Sequence, residues 1–154
     1  MSLIWKLKEF NQLSLAELYA VLKLRNEVFV IEQKCYFPDL DDIDQKSLHY
    51  LGFSKNQFLA AYCRIVPAGI SYLNISIGRV IVQKSYRRSG AGMELMINAI
   101  EQCRVVYGPA AITIGAQVYL KSFYESLGFK HTGEVYKEDD IDHVEMNYHR
   151  ATAS

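Results

Sequence analysis

Residues 73–82, LNISIGRVIV, form a long apolar run rich in β-branched side chains, and they lead into a glycine-eased helix. Such a run suits a buried strand. The helix starts near Gly90 and continues to about Val106. Its expected apolar face is Met93, Met96, Ile97, Ile100 and Val105, and Pro109 lies beyond its end. Residues 111–115 then read as a second short buried strand. A strand, a helix and a strand in close succession predict two parallel strands joined by a right-handed crossover. The chain is therefore expected to be α/β.

The flanking segments fit that frame. Residues 3–8 read as a strand. Residues 14–31 read as one helix, opened by a capping box of Ser14 and Glu17, with Leu15, Leu18, Val21, Leu22, Val28 and Phe29 at helical spacing. Residues 49–53 and 58–66 read as a hairpin. Residues 118–127 read as a compact helix stopped by Gly128. Two final strands, 129–136 and 143–148, are joined by Lys137, Glu138, Asp139 and Asp140. The predicted order is β-α-β-β-β-α-β-α-β-β. The length, 154 residues, predicts one domain over 1–154 with one core.

Charge and cysteine usage remove several classes of function. Lys plus Arg equals Asp plus Glu, 17 against 17, so no global field favours nucleic acid or a membrane. Cys35, Cys63 and Cys103 are odd in number and widely spaced, which speaks against a disulfide framework or a zinc site. Reduced thiols suit a cytoplasmic protein. No run has the length of a membrane-spanning helix, and the first residues do not make a signal peptide.

The chemistry concentrates where the strand meets the helix. In Arg87-Arg88-Ser89-Gly90-Ala91-Gly92, the glycines leave backbone amides uncovered at a helix start, where those amides lack partners. Two arginines stand at the end of the dipole that disfavours cations, and no carboxylate follows until Glu94. A pyrophosphate resting on the amides would explain both features. A plain glycine-eased turn with two solvated arginines is the alternative. The P-loop pattern is absent, and the third glycine of a dinucleotide fingerprint is replaced by Leu95.

On these residues the chain resembles the GNAT N-acetyltransferase superfamily. The cofactor motif Q/R-x-x-G-x-G/A is matched by Arg87, Gly90 and Gly92. A second landmark, IGAQVYLKSFYESLGF, places Tyr124 four residues before Gly128-Phe129. The strings LYAVLKLRNEVFVIEQ and EVYKEDDIDH are similar to the ElaA-like branch. The resemblance implies a mixed, mostly antiparallel sheet with a central, splayed parallel pair and helices on both faces. It implies acetyl-CoA as cosubstrate and no metal. The pantetheine arm would lie along Val80, Ile81 and Val82, and the diphosphate on Arg88 to Gly92 with Arg87 beside it. The acceptor would be an amine of a small molecule or peptide.

Acetyl transfer to an amine needs a base for the nitrogen and an acid for the departing sulfur. The resemblance points to Tyr124 as that acid. For the base, His143 stands against a water chain to solvent. Glu32 and Gln33, with Arg25 and Glu27, either line the acceptor pocket or form surface ion pairs. Asp39, Asp41, Asp42 and Asp44 either attract a cationic amine or form a solvated loop. A coenzyme A sensor without turnover, and a cysteine-dependent acyltransferase using Cys35 or Cys63, are the rival functions. Exposed terminal strands could pair two copies into a homodimer.

Overall fold

The computed structural model describes residues 2–149. Seven strands form one sheet: β1 (Ile4–Glu9), β2 (Leu48–Phe53), β3 (Leu59–Val66), β4 (Ile75–Val82), β5 (Ile112–Gln117), β6 (Lys130–Glu138) and β7 (Ile141–Tyr148). Their spatial order is β1-β2-β3-β4-β5-β7-β6. Every neighbouring pair is antiparallel except β4 and β5, which are parallel. The crossover between that pair is helix α2 (Ala91–Tyr107). Two further helices, α1 (Leu15–Arg25) and α3 (Lys121–Ser126), complete the mixed α/β fold expected from sequence.

Helices cover both faces. In the β2–β3–β4 register, Leu51, Tyr62 and Ile81 stand side by side, and Val21, Leu24 and Val28 pack onto them. On the opposite face Tyr50, Ala61 and Cys63 pack in one cluster with Leu95, Met96 and Ala99 of α2 and with Tyr124 and Phe129. Alternation along each strand sends successive side chains to opposite faces, so each strand serves two cores.

The helices correct the apolar stripes read from sequence. In α2 the buried set is Ala91, Leu95, Met96, Ala99, Ile100 and Cys103, whereas Ile97 and Val105 face solvent. Alanines and a cysteine let the helix approach the sheet closely, and a reading weighted toward large residues misses them. The Ser14–Glu17 capping box forms as expected, with amide bonds of 3.0 and 2.8 Å. The single helix predicted over 14–31 is two segments. After α1 the chain widens into a π-helical stretch, Asn26–Glu32. That switch presents Phe29, Glu32 and Gln33 to the central cleft. Likewise 118–127 divides into a 3-10 turn, Val118–Leu120, and α3, and the chain then turns at Gly128 with φ 103°.

The strand that borders the cleft is bent. Tyr62 pairs with Ile81 and Arg64 with Gly78, so Arg79 and Val80 together oppose Cys63 alone. This is a β-bulge, and Arg79 adopts φ 49° within it. Pairing of β4 with β5 extends only over Ile75–Ile112 and Ser76–Thr113. Beyond those two pairs the strands part, and the fork between them opens into the cleft.

Candidate active site

The fork, the start of α2 and the β6–β7 hairpin border one cleft of about 1050 Å³. Its first end is the start of α2. Gly90 is the N-cap at φ 84°, and Arg88 before it has φ 63°. The first backbone bond onto the cap runs from Glu94 N–H to Gly90 O, 3.0 Å. The amides of Ala91, Gly92 and Met93 thus precede the helical ladder and are free to bind an anion. The donor set suits a diphosphate. Ser89 turns its hydroxyl back to Tyr86 O.

The two arginines differ. Arg88 lines the cleft, and no ion pair holds it among the described residues. Arg87 donates from Nε to Val82 O, 2.9 Å, and grips Glu32 bidentately at 2.6 and 3.0 Å. Arg87 thus has its counter-ion in Glu32, distant in sequence, and Arg88 has none among the described residues. Glu32 therefore sits at the α2 end of the cleft, held low in pKa by the Arg87 hydrogen bond. Gln33 lies further along and accepts from Gln117 Nε2 at 3.3 Å. Val80 and Val82 line the fork, while the Ile81 side chain belongs to the α1 core.

Midway stands Tyr124, 7% exposed, with its ring edge-on to Phe123 and Phe129. Burial pushes its phenol pKa well above the ordinary value, so the group stays protonated and can donate. Among the described residues its hydroxyl has no hydrogen-bond partner, and the side chain borders the cleft.

The far end is built by β5, β7 and β6. Register places Gln117 opposite His143 and Gly115 opposite Glu145. His143 Nδ1 lies 2.7 Å from Ile141 O, and since a carbonyl only accepts, Nδ1 carries a proton. The neutral ring then keeps its lone pair on Nε2, which lies 3.6 Å from Glu138 Oε2. The ring stacks on Tyr136 at 5.9 Å. The Tyr136 and Tyr72 hydroxyls converge over Gly115, where a Cβ would fall 2.6 and 2.7 Å from their two oxygens. Tyr72, Tyr136, Glu138, Glu145 and Gly115 were not singled out as site residues from sequence. For Glu145 a signal was present: alternation along β7 puts it on the same face as His143.

The aspartate loop is neither a solvated turn nor a free carboxylate patch. Arg25, wholly buried, pairs with Asp39 at 2.8 Å and Asp44 at 2.7 Å. Arg64 pairs with Asp41 at 2.8 Å and Asp44 at 3.0 Å. Arg79 reaches Asp39 at 2.8 Å and Asp41 at 3.3 Å. Three arginines on apolar elements thus meet three carboxylates, and only Asp42 stays outside. Burial raises the Asp41 carboxyl, but hydrogen bonding and charge from Arg64 outweigh it and bring the pKa to about 2. The clue in the sequence was arginines inside strand and helix patterns, where an unpaired charge is rare. The Arg25–Glu27 surface pairing considered from sequence is replaced by these buried bonds. Cys63 is also buried, its thiol pushed up by desolvation, and is no nucleophile.

Residues 29–150 match the family model described as an acetyltransferase (GNAT) domain. The chain belongs to the GNAT acetyltransferase family. Protein ElaA of Escherichia coli K12 is 40% identical over 144 residues, 92% of this chain and 94% of its own. A UPF0039 protein of Schizosaccharomyces pombe is 39% identical over 140 residues, 90% of this chain and 92% of its own. An acyl-CoA N-acyltransferase from Pseudomonas aeruginosa superposes with TM-score 0.90 at 36% identity, covering 96% of this chain and 99% of that one. The crystal structure of E. coli ElaA gives TM-score 0.88 at 38% identity, covering 95% and 99%. This GNAT protein thus has a fold that binds acyl-coenzyme A and transfers acyl groups. Among its described residues no group could hold a metal ion, and no helix is long and apolar enough to cross a membrane.

Proposed function

We propose that this chain moves an acetyl group from acetyl-CoA to a primary amine by direct attack of the nitrogen. The observation that carries the reading is the single cleft. It joins the unpaired amides of α2, the open fork of β4 and β5, the Tyr124 side chain and the Nε2 side of His143. Acetyl-CoA supplies the thioester. Its diphosphate would rest on the amides of residues 88–92 beside Arg88, and its pantetheine arm would run along Val80 and Val82.

An alkylamine arrives as the ammonium, with a pKa of about 10.4. His143 Nε2 takes the proton that must leave before attack, and Glu138 faces the resulting imidazolium. The C–N bond forms and the C–S bond breaks. Tyr124 donates its phenolic proton to the sulfur, and the second proton lost by the nitrogen replaces it by way of solvent. The products are an amide, a thiol and one released proton. Three free thiols, two of them buried, support a cytoplasmic setting.

Thiol release with an amine panel tests the reading. Tyr124→Phe should lower kcat about 100-fold, within the usual range for a positioned acid, with acetyl-CoA affinity retained. Equal turnover in Tyr124→Phe would remove the phenol from the reaction. No turnover with any amine in the unmodified protein would leave a coenzyme sensor.

A further inference from the structure

Glu32 and Gln33 are adjacent in sequence, and their side chains run to opposite arms of the fork. Glu32 accepts from both Nη1 and Nη2 of Arg87, at 2.6 and 3.0 Å, while Arg87 Nε donates to the carbonyl of Val82, the last residue of β4. Gln33 Oε1 accepts from Nε2 of Gln117, the last residue of β5, at 3.3 Å. Strand pairing stops at Ser76 and Thr113, so these contacts tie the two strands together where they have already parted. Glu32, Gln33, Val82, Arg87 and Gln117 all line the cleft. Residues 32–33 thus make a strap across the mouth of the fork, where the pantetheine arm would enter.

The segment that carries the strap is firmly held only at its root. Val28 is buried against Leu51 and Tyr62, whereas the Arg87 and Glu32 side chains remain about one-third and two-fifths exposed. The backbone between them is widened, with Gln33 N–H bonded to Val28 O at 2.9 Å and Cys35 N–H to Phe29 O at 3.0 Å. An exposed ion pair is weak and is easily exchanged for another. The single bond of 3.3 Å at Gln33 adds little resistance.

Charge decides what would displace it. Arg87 and Arg88 stand together just before the amides that open α2, and each phosphate of a diphosphate carries negative charge. Arg88 is unpaired among the described residues, but Arg87 is neutralised by Glu32. The carboxylate and the diphosphate therefore compete for one guanidinium, whose fork matches either. We propose that Glu32 is an internal competitor of the coenzyme: the diphosphate takes Arg87 from Glu32, and the strap of residues 32–33 opens to admit the pantetheine arm. The released carboxylate is not stranded, because it is already half-exposed and Lys84 acts on it electrostatically. The inference rests on the acyl-transfer reading and concerns how the donor enters the site.

Titration calorimetry with coenzyme A reads the exchange. Glu32→Gln should tighten binding about threefold, the scale of an exposed ion pair. Arg87→Gln should weaken it about tenfold, the scale of a charge-assisted contact to phosphate. In the Arg87→Gln background, Glu32→Gln should leave Kd nearly unchanged, because the contested group is gone. Both side chains are half-exposed, so neither substitution leaves a buried charge behind. In the unmodified protein, the side-chain amide resonances of Gln33 and Gln117 should move on saturation with coenzyme A. Unchanged or weaker binding by Glu32→Gln, an equal gain in the Arg87→Gln background, or Gln33 and Gln117 resonances that stay in place would overturn the strap and leave the coenzyme site standing. If millimolar coenzyme A fails to bind the unmodified protein, the acyl-transfer reading falls and takes this inference with it.

Discussion

Arg25 shows how a polar residue can be read wrongly from its neighbours. It ends helix α1, two residues before Glu27, yet its guanidinium is wholly buried and bonded to Asp39 and Asp44. Removing one partner of such a pair leaves uncompensated charge in the interior. Arg25→Met should therefore destabilise the protein by about 3–5 kcal/mol, measured by urea denaturation. Gly115 is a second case. Gly115→Ala pushes on the Tyr72 and Tyr136 oxygens, which sit at the free ends of their side chains and can give way. The expected stability loss is about 1 kcal/mol, with a larger effect on acceptor KM than on the KM for acetyl-CoA. Unchanged acceptor KM would mean that the tyrosine pair lies outside the acceptor path.

Among the elements, the loop carrying Asp39, Asp41 and Asp44 is anchored in large part by charge pairs that need ionised carboxylates. The Asp41 pKa in the fold, about 2, lies below its ordinary value, and that of Asp44 is also depressed. Groups depressed in this way stabilise the fold fully above their unfolded pKa, about 3.9, and the contribution disappears as pH falls. For Asp41 the loss is complete only below about 2. Stability should thus drop between about pH 4 and pH 2, and Asp41→Asn should flatten that part of the curve in pH-dependent denaturation. The β6–β7 hairpin offers the opposite kind of change. Asp139 and Asp140 both take positive φ, 53° and 63°, as a two-residue type I′ turn demands. Asp140→Gly should raise stability by up to about 1 kcal/mol by relieving the left-handed backbone. The sequence showed a charged turn there but not its length, because no Asn-Gly or Asp-Gly marks it. Each flanking strand is accordingly longer toward the turn than alternation suggested. The α2 start was more legible, since two arginines and two glycines stand together there directly after a buried strand. The Arg87–Glu32 pair, 55 residues apart, was not legible, because nothing local records which helix end will face which loop.

At the scale of the whole molecule, one parallel strand pair does most to create the site. Antiparallel neighbours hold the rest of the sheet together, so β4 and β5 can part after two residue pairs without loss of the fold. The bulge at Arg79 bends β4, and the start of α2 lies beside the opening. The order of strands and helices was readable because a β-α-β crossover has few alternatives. The composition of the acceptor end was not, since it gathers residues from β5, β7, β6 and the segment before β4. On the proposed reading, the amides opening α2 hold the diphosphate of acetyl-CoA within this cleft. Titration of ¹⁵N-labelled protein with acetyl-CoA tests it directly. Amide shifts should concentrate at residues 88–93 and along β4, with a smaller response near Tyr124. No shifts at millimolar acetyl-CoA, or shifts centred elsewhere on the chain, would contradict it.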